Sequence, residues 1–348
     1  MDRKQKLLDG IDVSSWLGLE IGALCNPFLS RTEGSVLYAD HATTEELKHK
    51  YRNDPNVLLQ DIVEVDAVWG ERTLREAVGR AVDYVVASHV IEHVPDLITW
   101  LEELRSVLNE NGQVRLIVPD KRFTFDYLRQ ETRLVDILYA RLIRARRPHS
   151  QVVLDYCLNV TKVDSAKAWE GSLDARALEH HYTLQDALHI ASSAASGHYH
   201  DIHCWVFTPY SFCMLFAELA KNGVMNFECT MFHDTAPDTI EFFVGIRPVD
   251  DSISATESWY RAASTALNSA ASSIGFNDDM SQIVSHQEEL MRYEEKFEEL
   301  QSEISRKQDQ VDKLERELEN SHTYLNTITT SKSWKLTEPL RRIKSLLT

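Results

Sequence analysis

No run among the 348 residues approaches the ~18 consecutive apolar residues that a membrane-spanning helix needs. The N-terminal stretch MDRKQKLLDGIDVSS has no apolar core of the kind a secretion signal carries, so a secreted or membrane-integral chain is not expected. Cysteine is scarce: Cys25, Cys157, Cys204, Cys213 and Cys229 show no CxxC spacing, and five thiols cannot all pair internally. A reducing cytoplasm is the expected setting. Positive charge is short as well, since 37 Lys and Arg against 54 Asp and Glu leave −17 at pH 7. That balance argues against general nucleic-acid binding, which needs a clustered basic surface for phosphate contacts. The shortage is uneven: Lys121 to Arg147 holds eight basic residues against three acids, and Lys332 to Lys344 holds five against Glu338 alone. What is present is 43% hydrophobic residues, enough for a real core in one large domain or two moderate ones.

The chain is organised around Leu17 to Asp40, LGLEIGALCNPFLSRTEGSVLYAD. It reads as a buried strand from Trp16 to Ile21, a tight turn at Gly22, a loop containing Pro27, and a second strand from Val36 to Ala39 that ends in a carboxylate. A strand whose turn lets backbone N–H groups approach a ligand, followed by a strand ending in an acid, is how an open α/β sheet holds an adenosine-type molecule. Asp40 is the expected partner of the two ribose hydroxyls. Glu20 stands inside an apolar strand, where an unpaired carboxylate is costly, so it is expected to hold a ligand ammonium group or the turn's own backbone.

After Asp40, Thr43 or Thr44 with Glu45 or Glu46 marks a helix start. A third strand is expected over Val57 to Val65, closed by Asp66, then a short helix from Thr73 to Val78. In AVDYVVASHVIEHVPD the β-branched run from Val82 to Ala87 predicts a fourth strand with Ser88 and His89 at its end, and Glu92 and His93 capping and orienting the next helix. That helix runs from Leu97 to Leu108, and a fifth strand, QVRLIVPD, comes after it. Alternation at this interval predicts a parallel sheet with right-handed crossovers. Ligands sit beyond the carboxyl ends of such strands, which places Gly22, Asp40, Asp66, Ser88, His89 and Asp120 on one rim. A helical, Arg- and His-rich insertion fills 121–205. A helix from Pro209 to Ala220 and two strands, Phe227 to Phe232 and Ile240 to Ile246, complete the pattern. The few residues between those strands leave no room for a crossover helix, so they form an antiparallel hairpin.

The element order, the GLEIG turn, YAD, DYVVASHVIEHVPDL and the terminal hairpin together resemble the class I S-adenosylmethionine-dependent methyltransferases, type 11-like, over about residues 12 to 248. The segment from Ser88 to Leu97 is the most specific part, close to the EHVPD signature of sugar and small-molecule enzymes of that class. The first turn departs from the family's multi-glycine form, with Ala23, Leu24 and Cys25 following Gly22. The resemblance implies a Rossmann-like seven-stranded α/β sheet over 1–249 with S-adenosylmethionine as cofactor. It also implies Glu20, Gly22, Asp40, Asp66 and Ser88 at the cofactor, Asp66 near the adenine edge.

Six of the fourteen histidines fall between His180 and His203. In GHYHDIHCW an extended backbone puts His198 and His200 on one face, with Asp201 and His203 close by. His198, His200 and His203 are candidate ligands of a divalent metal that would acidify a sugar hydroxyl. The alternatives are a metal-free base, with His89, His200 and His203 as catalytic candidates, or solvent-facing loop histidines. Asp120, Lys121 and Arg122 begin at the rim, where guanidinium groups suit an acidic or phosphate-bearing acceptor; a solvated helix face explains the same charges.

Residues 250–280 are rich in Ser and Ala and read as a linker or a loosely packed helix. From Ile283 a heptad repeat takes over 281–330, with Ile283, Leu290, Phe297, Ile304, Val311, Leu318 and Leu325 at a and His286, Tyr293, Leu300, Lys307, Leu314, Ser321 and Ile328 at d. It predicts a coiled coil and homo-oligomerisation. The tail 331–348 sets Trp334, Leu336, Leu340, Ile343, Leu346 and Leu347 among basic residues, which suits an anionic membrane surface at the inner face of the plasma membrane. It also resembles the SWxLTxPLR tail of bacterial glycan-assembly proteins. The expected activity is O-methylation of a sugar or glycan in surface-polysaccharide assembly. A non-catalytic scaffold presenting the coiled coil and a metal-dependent enzyme of another reaction class built on the histidine cluster are the alternatives.

Overall fold

The computed structural model describes residues 1–70, 72–269, 271 and 280–337, and side chains within the long C-terminal helix from Lys296 onward except 297 and 298. The described chain forms two units, 1–277 and 278–348.

The first unit opens with α1 (Arg3–Leu7), followed by β1 (Leu17–Ile21) and β2 (Ser35–Asp40). Helix α2 (Thr44–Lys50) starts on a capping box in which Thr43 accepts from the Glu46 N–H and Glu46 accepts from the Thr43 N–H. A two-residue strand β3 (Ala67–Val68) leads to α3 (Leu74–Val78), capped by Thr73 and closed by Gly79 in the left-handed region. Then come β4 (Val82–Ser88), α4 (Leu97–Val107) with Asp96 as N-cap, and β5 (Leu108–Pro119). The insertion contributes α5 (Leu134–Leu142), α6 (Ser150–Asn159), α7 (Ser165–Trp169) and α8 (Leu184–Ala195). Helix α9 (Pro209–Lys221), β6 (Phe227–His233), β7 (Glu241–Pro248) and α10 (Ser252–Leu267) complete the unit.

Seven strands form one sheet in the order β3-β2-β1-β4-β5-β7-β6. β1 to β5 run parallel, and β7 enters antiparallel between β5 and β6. This is the expected Rossmann-like architecture with its terminal hairpin. Alternate strand residues divide the core between the two faces. Leu19, Ile21, Val85, Ala87 and Leu116 pack with helices α4, α9 and α10 on one side. Tyr38, Tyr84, Val86, Ile117 and Phe243 pack with Leu7 and Leu29 on the other. Gly18 makes room for the second layer, because a Cβ there would lie 2.5 Å from Cζ of Tyr84, its partner across β4.

Two segments differ from the sequence expectation. Residues 57–65 are not the third strand: only Ile62 is buried there and Leu58 is 55% exposed. The backbone instead bonds to other loops, Val63 N–H to Leu24 O and Val65 N–H to Thr44 Oγ1. The strand forms later, at Ala67. Residues 22–34, all described, form the turn and loop expected between β1 and β2. The Ser/Ala-rich stretch read as a linker or a loosely packed helix over 250–280 carries the helix α10, but firmly docked through the fully buried Trp259, whose Nε1 donates to Phe227 O at 2.7 Å. Its alanines at 255, 262, 263 and 266 are buried too, small side chains that let the helix approach α9 and β6 closely.

The second unit holds α11 (Met280–Thr330), a 51-residue helix, and α12 (Lys332–Leu336), capped by Ser331. Leu300, Ile304, Val311, Leu314, Leu318 and Leu325 are exposed along it. The side chains of Ile283, His286, Leu290, Tyr293 and Phe297 lie outside the described residues, as do residues 338–348 of the basic tail.

Candidate active site

The carboxyl ends of the parallel strands and the start of antiparallel β7 meet on one rim. At β1, Gly22 has φ +70 and a Cβ on it would meet Val90 Cγ2 at 3.1 Å, so this turn favours glycine twice over. Glu20, 2% exposed, accepts from Phe28 N–H and Leu29 N–H, each at 2.8 Å. Of its two expected roles it takes the second, holding the turn's own backbone. Burial pushes its carboxyl up to about 7 despite those two bonds.

Asp40 ends β2 with its carboxylate nearly covered. Oδ1 takes the backbone N–H of His41 at 2.7 Å and His41 Nδ1 at 2.6 Å, which leaves Oδ2 for a ligand. Asp66 precedes β3 rather than closing it, because the strand starts at Ala67. Its carboxylate is engaged by Tyr38 N–H at 2.7 Å and by Arg31 at 2.8 Å. It ties β2 to the loop after β1.

Ser88 ends β4 half-buried, and His89 follows with φ +52, an uncommon conformation for such a residue. That backbone sets the imidazole between two acids, with Nε2 2.8 Å from Glu241 Oε2 and Nδ1 3.4 Å from Glu92 Oε1. Burial opposes the charge on His89, but the contacts with Glu241 and Glu92 outweigh it and raise its pKa to about 9. Glu241 also pairs with Arg3, Nη2 to Oε2 at 2.8 Å. As the first residue of β7, opposite Pro119, Glu241 reaches the rim only because that strand runs backwards.

The insertion returns to the same rim. Lys121 N–H donates to Phe207 O, and Asp120 forms a bridge with Phe207, so the two ends of the insertion meet beyond β5. Residues 201–205 then lie against the turn after β4: Cys204 N–H and Trp205 N–H both donate to Glu92 O, and Trp205 Nε1 donates to Val94 O. His93 Nδ1 lies 3.0 Å from Asp201 Oδ1, and His203 Nδ1 lies 2.5 Å from Asp126 Oδ2. The two rings meet edge to face at 4.7 Å. Asp126 is clamped by Arg129 at 2.9 Å, which also donates to His203 O.

Of the expected histidine trio, only His203 joins this cluster. His198 is exposed and bonds its own loop at Ser193 O, and His200 is half-buried outside it. Among the described residues, Glu92, His93 and His203 form the metal-capable trio, each offering a ligand atom within 4.8 Å of the others. The expected guanidinium face is likewise rearranged. Arg122 turns inward onto Asp120 and Ala271 O, and Arg129 onto Asp126 and Asp155.

Glu241 and Asp126 escaped the sequence reading. For Glu241 the signal was available, since the first residue of an antiparallel strand beside β5 must start at the ligand rim. Asp126 carries no local signal, because its partner lies 77 residues away.

Residues 39–219, just over half of the chain, match a family model described as a methyltransferase domain. No curated protein matches the chain. Among solved structures it is similar to a ribosomal protein L11 methylase from Lactobacillus delbrueckii subsp. bulgaricus, at 14% identity and TM-score 0.30, over 70% of this chain and 76% of that one. It is similar to the glycopeptide N-methyltransferase MtfA at 10% identity and TM-score 0.35, over 71% and 89%. A third is the magnesium protoporphyrin IX methyltransferase ChlM from Synechocystis PCC 6803, at 9% identity and TM-score 0.31, over 71% and 76%. With the matched span running from the end of β2 through α9, and the sheet closing in the antiparallel β7, the chain belongs to the methyltransferase-domain family as a class I S-adenosylmethionine-dependent enzyme.

Proposed function

We propose that this methyltransferase acts on a hydroxyl of a sugar or glycan in cell-surface polysaccharide assembly. The observation that carries the reading is the histidine pair at the rim. Asp126 hydrogen-bonds His203 Nδ1 at 2.5 Å and Asp201 lies 3.0 Å from His93 Nδ1, so a carboxylate backs each imidazole and Nε2 of His203 is left to exchange a proton. A neutral hydroxyl is a weak nucleophile and must lose its proton as it is methylated, so an oriented, carboxylate-backed pair suits oxygen.

S-adenosylmethionine supplies a methyl group already activated on a sulfonium. The chain's part is alignment and proton handling. The positive φ at Gly22 supports close approach of the cofactor to that turn, the engagement of Asp40 through Oδ1 alone supports a ribose contact at Oδ2, and Ser88 ends β4 on the same rim. Glu20 supports this arrangement from behind by holding Phe28 and Leu29. His89, between Glu92 and Glu241, positions the turn that presents His93.

The heptads of 281–328 support self-association. The basic residues and Trp334 of 331–348 support docking at an anionic membrane on the cytoplasmic side, and the SWKLTEPLRR segment supports a place in glycan assembly. No described helix is long and apolar enough to cross a membrane.

Calorimetry with S-adenosylmethionine followed by product analysis on nucleotide sugars and glycans tests the reading. Cofactor binding lost in Asp40→Ala and a mass gain of one methyl group on a sugar oxygen are expected. A product methylated on nitrogen would overturn the acceptor class.

A further inference from the structure

We propose that Glu92, His93 and His203 form a binding site for a divalent first-row metal ion. The three residues come from two segments that the backbone locks together. Glu92 and His93 are neighbours on the 3-10 turn after β4, and His203 stands on the irregular segment returning from the insertion. Glu92 O takes both Cys204 N–H and Trp205 N–H, and His93 O faces Cys204 Sγ at 3.6 Å. One ligand atom from each residue lies within 4.8 Å of the other two. Metal–nitrogen and metal–oxygen bonds of about 2.0–2.2 Å need donors roughly 3.3–3.5 Å apart. Small side-chain rotations close that difference.

Two features point to a cation rather than to an accidental grouping. The first is Glu92, fully buried, with neither carboxylate oxygen accepting a hydrogen bond. A buried carboxylate in that condition is costly, and the facing His89 at 3.4 Å offsets it only in part. A cation bound to those oxygens removes the cost. The second is the outer shell: Asp126 hydrogen-bonds Nδ1 of His203 at 2.5 Å, which fixes the tautomer that leaves Nε2 for a metal, and Asp201 lies 3.0 Å from Nδ1 of His93. Arg129 holds Asp126 in turn.

Two imidazoles and one carboxylate favour zinc, cobalt, nickel, iron or manganese over calcium or magnesium, which prefer oxygen alone. Three protein ligands leave a position open for water or substrate. Resting on the hydroxyl-acceptor reading above, with the imidazoles as ligands in place of bases, the ion would take the acceptor oxygen at that position and lower its pKa, so that the proton leaves to solvent or a nearby carboxylate while the methyl group's bond to the sulfonium sulfur breaks and its bond to oxygen forms.

Binding is read directly. The full chain, stripped with chelator and dialysed against zinc or cobalt, is expected to hold one ion per chain by elemental analysis and to give a visible absorption band with cobalt. His203→Gln and Glu92→Gln are expected to lose the ion, Asp126→Asn to bind about 10- to 100-fold more weakly, and His198→Ala to bind as the parent does. Circular dichroism checks that each variant is folded; if Glu92→Gln is not, the parent's cobalt spectrum and His203→Gln decide. No stoichiometric metal in the parent, or undiminished metal in folded His203→Gln, overturns the site. Metal binding without sugar methylation would sink only the acceptor reading, and full methylation by metal-free protein would sink only the ion's part in it.

Discussion

Glu20 shows how one residue supports a binding turn at a cost that pH can reveal. Both of its oxygens are committed to backbone N–H groups, and Gln offers one acceptor where two donors converge. Glu20→Gln should therefore lose about 1–3 kcal/mol at pH 5. The folded-state pKa of about 7 lies above the ordinary 4.5, so this carboxyl's contribution is complete below about pH 4.5 and is lost as pH rises through 7. The gap in melting temperature between parent and Glu20→Gln should shrink from pH 5 to pH 8, and a constant gap would refute the linkage. The rim ion pairs offer a second contrast. Arg3 is 57% exposed on its side chain, so Arg3→Ala should cost at most about 1 kcal/mol. His89→Leu leaves Glu92 and Glu241 buried beside no imidazolium, and about 3–5 kcal/mol is expected in urea titrations. Equal losses in the two variants would mean that this network is not carried by His89. At this scale the sequence was legible wherever a strand end placed the residue: Gly22, Asp40, Ser88 and His89 all stand on the rim. It misled at Asp66, because the strand it was meant to close starts one residue after it. It was silent on which of the clustered histidines meets which acid, since those pairs are made by the return of a long insertion.

The elements that were misread share a cause: the burial that defines them comes from few large side chains. Residues 57–65 hold enough Val, Leu and Ile to suggest a strand, yet the loop after β1 and Thr44 take their backbone bonds. Helix α10 shows the opposite error. Serine and alanine gave it no broad apolar stripe, but Trp259 alone fills a site among Phe212, Phe216 and Phe227, and small neighbours allow the approach. Ser258 Oγ further accepts Cys229 N–H at 2.8 Å, tying the helix to the edge strand β6. A chain ending at Val249 should then be destabilised rather than merely shortened. Trp259→Ala in the full chain should cost about 3–5 kcal/mol, measured by thermal or urea unfolding. A loss below about 1 kcal/mol would restore the linker reading, since that is the scale of surface changes.

For the whole molecule, the decisive quantity is the apolar seam that a single copy leaves in water. Helix α11 is roughly 75 Å long at 1.5 Å per residue, and it carries Ile304, Leu318 and Leu325 at 68%, 58% and 56% exposure. Those residues repeat every seventh position with Val311 between them, and Leu300 and Leu314 fill alternate d sites on the same seam. Glu303, flanking the seam at g, pairs with the d-site Lys307 at 3.4 Å. A helix of this pattern gains by covering the seam with a second copy, because contiguous apolar surface of this extent is otherwise exposed. Lys307 and Ser321 at d would loosen such a pairing or fix its register. Light scattering of the full chain should give a multiple of the 39.9 kDa monomer. Leu318→Asp, which places a charge on the seam, should return it to a single-chain mass without altering S-adenosylmethionine binding. Lys307→Leu should do the reverse and raise the concentration-dependent melting temperature of the helix. A parent that scatters as one chain at high micromolar concentration would rule the assembly out.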